Sequence, residues 1–190
     1  MSRIKQKKQG VRTSLVFTNQ DKTTGSISFD GTDFDISAPI TIDGSLKFER
    51  PVVTVDTAAT YAVTAAESGT TFVLAKATGT TFTLPTASVG LTYKFFVSVS
   101  AAGGSDIIIT DGTDNFEGII LNVDKDQAYT STEALQAICK ADGTPTTITL
   151  NGGTTGGLIG SCIEVTAINA DRWMVSGILH GDSNVATCFS

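Results

Sequence analysis

Short runs of alternating apolar and polar residues, each closed by a turn signal, organise this chain from Gly25 onward. Ile27 and Phe29 share one parity before Asp30-Gly31, and Phe34 and Ile36 then alternate with Asp33 and Asp35. Ile40 and Ile42 repeat the pattern up to Asp43-Gly44, and Leu46 and Phe48 continue it. A period of two sends successive side chains to opposite faces, which suits a half-buried strand. Asp-Gly between such runs is a hairpin signal.

Beyond Pro51 the runs are longer. Tyr61 and Val63 alternate, then Phe72 and Leu74, then Phe82 and Leu84 ahead of Pro85. The clearest strand runs from Leu91 to Ser100, with Leu91, Tyr93, Phe95, Val97 and Val99 on one face. Ile107 to Ile109 and Ile119 to Leu121 are continuous apolar runs suited to strands buried on both sides. Thr147 to Leu150, Cys162 to Ile168 and Arg172 to Leu179 complete the series. One segment reads two ways. Thr130-Ser131-Thr132-Glu133 before Ala134 to Ile138 has the form of a capping box at a helix start, whereas Leu135, Ala137 and Cys139 alternate. Its strand-rich surroundings favour strand for 131–140.

Strands at this spacing with no helical stretches between them predict an all-β fold, a jelly-roll or β-sandwich body. The missing βαβ alternation excludes a Rossmann-like sheet, and no fixed internal period points to a solenoid. Composition agrees: 41% of residues are hydrophobic, 17% are charged and 30 are Thr, which excludes disorder over the whole length, collagen and coiled coil. The expected domains are a basic arm over 1–24, a short β-meander over 25–55 and a β-sandwich body over 56–190.

Charge is distributed unevenly. Residues 1–22 hold Arg3, Lys5, Lys7, Lys8, Arg12 and Lys22 against the single acid Asp21, while the remainder holds 7 basic and 18 acidic residues. An acidic body repels phosphate, so no nucleic-acid partner is expected of it. A basic arm suits a flexible, solvated terminus or contact with an acidic protein, nucleic acid or a membrane, and no apolar stretch follows it that would make a signal peptide. No run approaches 18 continuous apolar residues, so no membrane span is expected. Cys139, Cys162 and Cys188 are widely spaced and odd in number, which fits buried free thiols from a reducing compartment better than a disulfide framework or a zinc site.

Nothing in the sequence commits to catalysis, a metal or a cofactor. His180, the sole histidine, falls just past an expected strand end, with no G-x-S-x-G elbow elsewhere. Gly152 to Gly160 is glycine-rich but lacks the Lys-Ser/Thr ending of a phosphate loop, and reads as a flexible or positive-φ connection between two strands. Asp111-Gly112-Thr113-Asp114-Asn115 lacks the complete calcium-loop pattern and reads as a turn. Asp33 and Asp35 share a strand face and read as an acidic outward edge rather than a glycosidase pair.

From Tyr61 to Gly177 the order of motifs resembles a known group of proteins. Tyr61-Ala62-Val63-Thr64 opens it, followed by Gly79-Thr80-Thr81-Phe82-Thr83-Leu84-Pro85 and Gly90-Leu91-Thr92-Tyr93-Lys94-Phe95. Gly160-Ser161-Cys162-Ile163-Glu164-Val165 then leads to Asp171-Arg172-Trp173-Met174-Val175-Ser176-Gly177. This resembles small β-sandwich or jelly-roll virion proteins of tailed bacteriophages, particularly marine phages and cyanophages: head-decoration (cement) proteins and fibre-like appendages. The resemblance implies a non-enzymatic homotrimer that stabilises the capsid by binding the major capsid protein at three-fold or quasi-three-fold positions. It would be assembled in the host cytoplasm and displayed on the virion exterior. Arg3, Lys5, Lys7, Lys8 and Arg12 would be the capsid-binding residues, and Tyr93, Phe95, Phe96 and Trp173 anchors of the core or of a subunit interface. The alternative is a trimeric fibre or spike component that binds a host receptor or glycan.

Overall fold

The computed structural model describes residues 5–9, 12–18, 24–29, 34–36, 50–125, 136–182 and 184–190. The chain divides into two units, Met1–Phe48 and Glu49–Ser190.

The first unit is a four-stranded antiparallel sheet, β1 (Lys5–Gln9), β2 (Arg12–Thr18), β3 (Thr24–Phe29) and β4 (Phe34–Ile36), in chain order. Within the expected basic arm over 1–24, Lys5–Gln9 and Arg12–Thr18 are strands. Ser14 to Thr18 is rich in β-branched and aromatic residues, and its ladder sets Leu15 opposite Ile27. Lys7 stands opposite Ser14, Lys8 opposite Thr13 and Gln9 opposite Arg12. The expected short strands at Ile40 to Phe48 lie outside the described residues.

The second unit begins with β5 (Val52–Val55), which the sequence assigned to the meander. It pairs instead with β7 (Thr71–Leu74) in the body, so the body starts ahead of residue 56. The chain then alternates between two sheets: β6 (Thr60–Ala62), β7, β8 (Thr81–Thr83), β9 (Thr92–Val97) and β10 (Asp106–Ile109). In one sheet β5, β7 and β9 are parallel neighbours, and in the other β6, β8 and β10 are. The result is three stacked coils. Successive register steps are 19 residues (Val52 to Thr71), 21 (Thr60 to Thr81), 23 (Thr71 to Lys94) and 26 (Thr81 to Ile107), and this drift hides the stacking from any search for a fixed period.

The coils are completed by β11 (Asn115–Asp124), β12 (Gln136–Asp142), β13 (Thr147–Leu150), β14 (Cys162–Ala167) and β15 (Arg172–Gly181). The larger sheet has the order β12-β11-β15-β14-β9-β7-β5 and the smaller β13-β10-β8-β6. Strand is the form taken from Gln136 onward, and the capping-box residues before it lie outside the described residues. The unit is a two-sheet, β-sandwich-like body without α-helix among the described residues. A jelly roll joins antiparallel neighbours, whereas five of the nine body pairings are parallel (β5–β7, β7–β9, β6–β8, β8–β10, β11–β15). The four parallel pairs among β5 to β10 arise because the chain crosses to the opposite sheet after each of those strands instead of turning back on itself.

The core lies between the sheets and is aromatic where the coils stack. Phe72 and Phe95, registered opposite one another, stack at 5.4 Å, and Phe82 from the smaller sheet meets Phe95 edge-on at 5.3 Å. Tyr61 closes the group at 5.3 Å from Phe72. Trp173 continues it through Tyr93 at 5.8 Å. The C-terminal segment covers the free edge of β13: Thr149 N–H donates to Cys188 O at 2.8 Å, and Ile148 bridges Phe189.

Phe72 is fully buried and touches aromatic rings of both sheets. Phe72→Ala is expected to destabilise the body by about 3–5 kcal/mol, read as a lower denaturation midpoint with an unchanged m-value.

Candidate functional site

The seven-stranded sheet turns one face to the core and the other outward, and the outward face carries an unusual pattern. Register places Ile138 (β12) opposite Leu121 (β11), Leu121 opposite Ile178 (β15), Ile178 opposite Cys162 (β14), Cys162 opposite Phe96 (β9) and Phe96 opposite Val73 (β7). Six apolar side chains therefore form one row running across the strands. Ile138 is 70% exposed, Ile178 56% and Phe96 39%. A strand with one solvated face ordinarily alternates apolar-in with polar-out, and an exposed contiguous apolar patch marks a contact surface.

More polar rows, each broken by one apolar residue, flank the stripe. On one side lie Lys140, Ile119, Ser176, Glu164 and Lys94, mutually opposite in that order, with Lys94 Nζ 2.9 Å from Glu164 Oε2. On the other side lie Gln136, Val123 and His180. Arg172 pairs with Glu117 at 3.3 Å further along. These exposed ion pairs fix side-chain positions more than they add stability.

The anchors expected from the sequence divide between the faces. Tyr93, Phe95 and Trp173 are buried in the core. Tyr93 donates its hydroxyl to Thr64 O at 2.9 Å, and burial pushes its pKa up to about 12. Trp173 Nε1–H donates to Asp114 Oδ2 at 3.3 Å. Phe96 has the opposite parity from Tyr93 and Phe95 and belongs to the outward stripe. Of the basic residues, Lys5, Lys7 and Lys8 lie on β1 and Arg12 opens β2, while Arg3 lies outside the described residues.

The side chains weighed for chemistry hold local structure. Asp111 Oδ1 accepts from Thr113 N–H at 2.9 Å and Thr113 Oγ1 at 2.8 Å, and its Oδ2 accepts from Thr86 Oγ1 at 2.7 Å. Those hydrogen bonds, led by the one from Thr86, hold its carboxyl down to about 2. Asp114 is buried and accepts from Ala87 N–H at 2.7 Å as well as from Trp173. Thus the pair forms a turn and a strut. The glycine-rich connection is knotted to the core: Asn151 Oδ1 accepts from Gly153 N–H at 2.9 Å and Thr155 N–H at 3.1 Å. Gly157 has φ 96, and a Cβ there would stand 2.8 Å from Leu150 Cβ. His180 lies inside β15 rather than past its end, exposed, with its N–H donating to Ser161 Oγ at 2.9 Å. Asp35 falls on β4, opposite Ser28, and Asp33 lies outside the described residues. Cys139 and Cys188 are buried and Cys162 is half-buried, all as free thiols.

Among the described residues no group of three His, Cys, Asp or Glu side chains is placed to hold a metal ion. No described helix is long and apolar enough to cross a membrane. No protein-family model matches the chain, and no curated protein is significantly similar to it.

Sequence reasoning missed the outward row because its members are spread over six strands, and only the register aligns them. It also missed Asp106, a buried carboxylate whose Oδ1 accepts from Thr80 N–H at 2.9 Å. Desolvation raises its pKa to about 6, against the opposing pull of the Thr80 hydrogen bond and of Lys76. A carboxyl with a raised folded-state pKa contributes stability that is complete below about pH 4 and is lost as pH rises through about 6. Asp106→Asn keeps the acceptor without the charge. It is expected to raise stability at pH 8 by about 1–3 kcal/mol and to leave it unchanged near pH 4, measured by chemical denaturation at both pH values.

Proposed function

We propose that this chain is a structural component of a tailed-bacteriophage particle that decorates and stabilises the head by binding the major capsid protein, without a catalytic step. The observation that carries the reading is the apolar row on the outward face of the seven-stranded sheet: a wide, rigid surface suited to protein contact. The motif order from Tyr61 to Gly177 supplies the phage context, and with it the expectation of trimers at three-fold or quasi-three-fold positions on the capsid exterior. Lys5, Lys7, Lys8 and Arg12 place basic residues on β1 and β2, which suits an acidic shell, and a multivalent assembly turns several weak contacts into firm attachment.

A second reading, a fibre or spike component that binds a receptor or glycan, is favoured by the three stacked parallel coils. Stacking buries each coil against its neighbours and extends a body along one axis, as in solenoid proteins.

Copy number separates the two. Head decoration is expected to give copies comparable with the shell protein when purified particles are quantified by gel densitometry. A few tens of copies or fewer would transfer the chain to an appendage, and absence from particles would overturn both readings. Reversing charge at Lys5, Lys7 and Lys8 together is expected to weaken binding of the full chain to isolated shells by tenfold or more and to flatten its salt dependence, followed by co-sedimentation at two ionic strengths. Unchanged binding would remove these basic residues from the account.

A further inference from the structure

The row that makes the outward face a contact surface also restricts what sits on it. We propose that its partner is a second copy of this chain, packed face to face about a two-fold axis that runs along the row. This rests on the reading of that face as a contact surface, names a second copy rather than the shell as what covers it, and leaves attachment to the shell to the basic strands β1 and β2.

Self-association through a two-fold contact requires a patch that matches itself. With the axis along the row, each of Ile138, Leu121, Ile178, Cys162 and Phe96 meets its own counterpart, and the flanking row on one side meets the flanking row on the other. Ile119 then faces the second copy's Val123, Lys140 faces Gln136, and Ser176 faces His180. Glu164 and Lys94 are paired with one another within each copy, so neither brings an unpaired charge to the contact. Apolar thus lies on apolar, and no charge meets a like charge.

The other two-fold axis that passes through Ile178, along the strands, does the opposite. It sets Lys140 of one copy against Lys94 of the other and Ile119 against Glu164. Like charges pressed together and a carboxylate desolvated by an isoleucine both oppose association. Electrostatics therefore selects the axis along the row.

The size fits a reversible contact. Seven strands at about 4.8 Å spacing span about 29 Å, and the seven residues of β12 rise about 20 Å. Two such faces bury about 1,200 Å² as a flat footprint, the lower bound of specific interfaces. A contact at that lower bound suits reversible association, firm only where copies are already held side by side.

Sedimentation velocity of the full chain from 1 to 100 µM tests this. The parent is expected to shift reversibly toward twice its low-concentration mass across that range. Ile178→Lys sets two lysines face to face on the axis and is expected to weaken association at least tenfold while leaving the thermal melt unchanged, since Ile178 lies outside the core. Ile138→Lys, at the exposed end of the row, serves as the second variant should the first fail to fold. Ile119→Lys alone is expected to weaken association, and Ile119→Lys with Val123→Glu to restore it, because the two positions oppose one another only across the proposed axis. A parent whose mass does not rise between 1 and 100 µM, variants at 178 and 138 that associate like the parent, or absence of rescue overturns the inference. Those outcomes leave copy number in particles untouched, and a low copy number overturns head decoration whatever the association state.

Discussion

The body depends on one contact, the packing of Phe72 and Phe95 from the larger sheet against Phe82 from the smaller. Phe72 and Phe95 stack because parallel pairing of β7 with β9 brings them into the same register position, and Phe82 fills the space across the sandwich. Without that wedge the three coils would have no reason to stack, since their strands are only three to six residues long. Burial of large rings, rather than the surface ion pairs, is the dominant favourable interaction. Everything on the outer face inherits its position from this inner column: Phe96 points outward because Phe95 points inward, and Val73 because Phe72 does.

Period-two alternation made much of this legible beforehand. Tyr93, Phe95 and Val97 are buried on one face of β9, as their spacing implied, and the all-β class follows from the same signal. Connectivity was less legible. Alternation states that a residue faces inward but not which sheet its strand joins, so the crossings that make β5, β7 and β9 parallel left only an irregular 19-to-26-residue step. Lys5 to Thr18 looked like a free arm because basic charge drew attention away from Ser14-Leu15-Val16-Phe17-Thr18, a good strand in its own right.

The candidate site was the least legible part. Ile138, Ile178 and Phe96 are unremarkable singly, and strand parity alone leaves each free to be a stray exposed residue. Cross-strand register turns them into a surface. The carboxylates that drew attention in the sequence serve the fold instead: Asp111 closes a turn, and Asp114 ties Trp173 and Ala87 to the β10–β11 connection. A rigid body with its acids bound up in structure and its apolar residues displayed in a row is organised for contact, which is the thread joining head decoration to the pairing of copies.

Cys162 offers the most direct test of that claim, because it stands in the middle of the row while Cys139 and Cys188 are buried. The rate at which a maleimide labels Cys162 in the full, native chain should be followed over a hundredfold range of protein concentration. The account expects labelling to slow as concentration rises, as copies cover the row, and to recover on dilution. A labelling rate independent of concentration would contradict it.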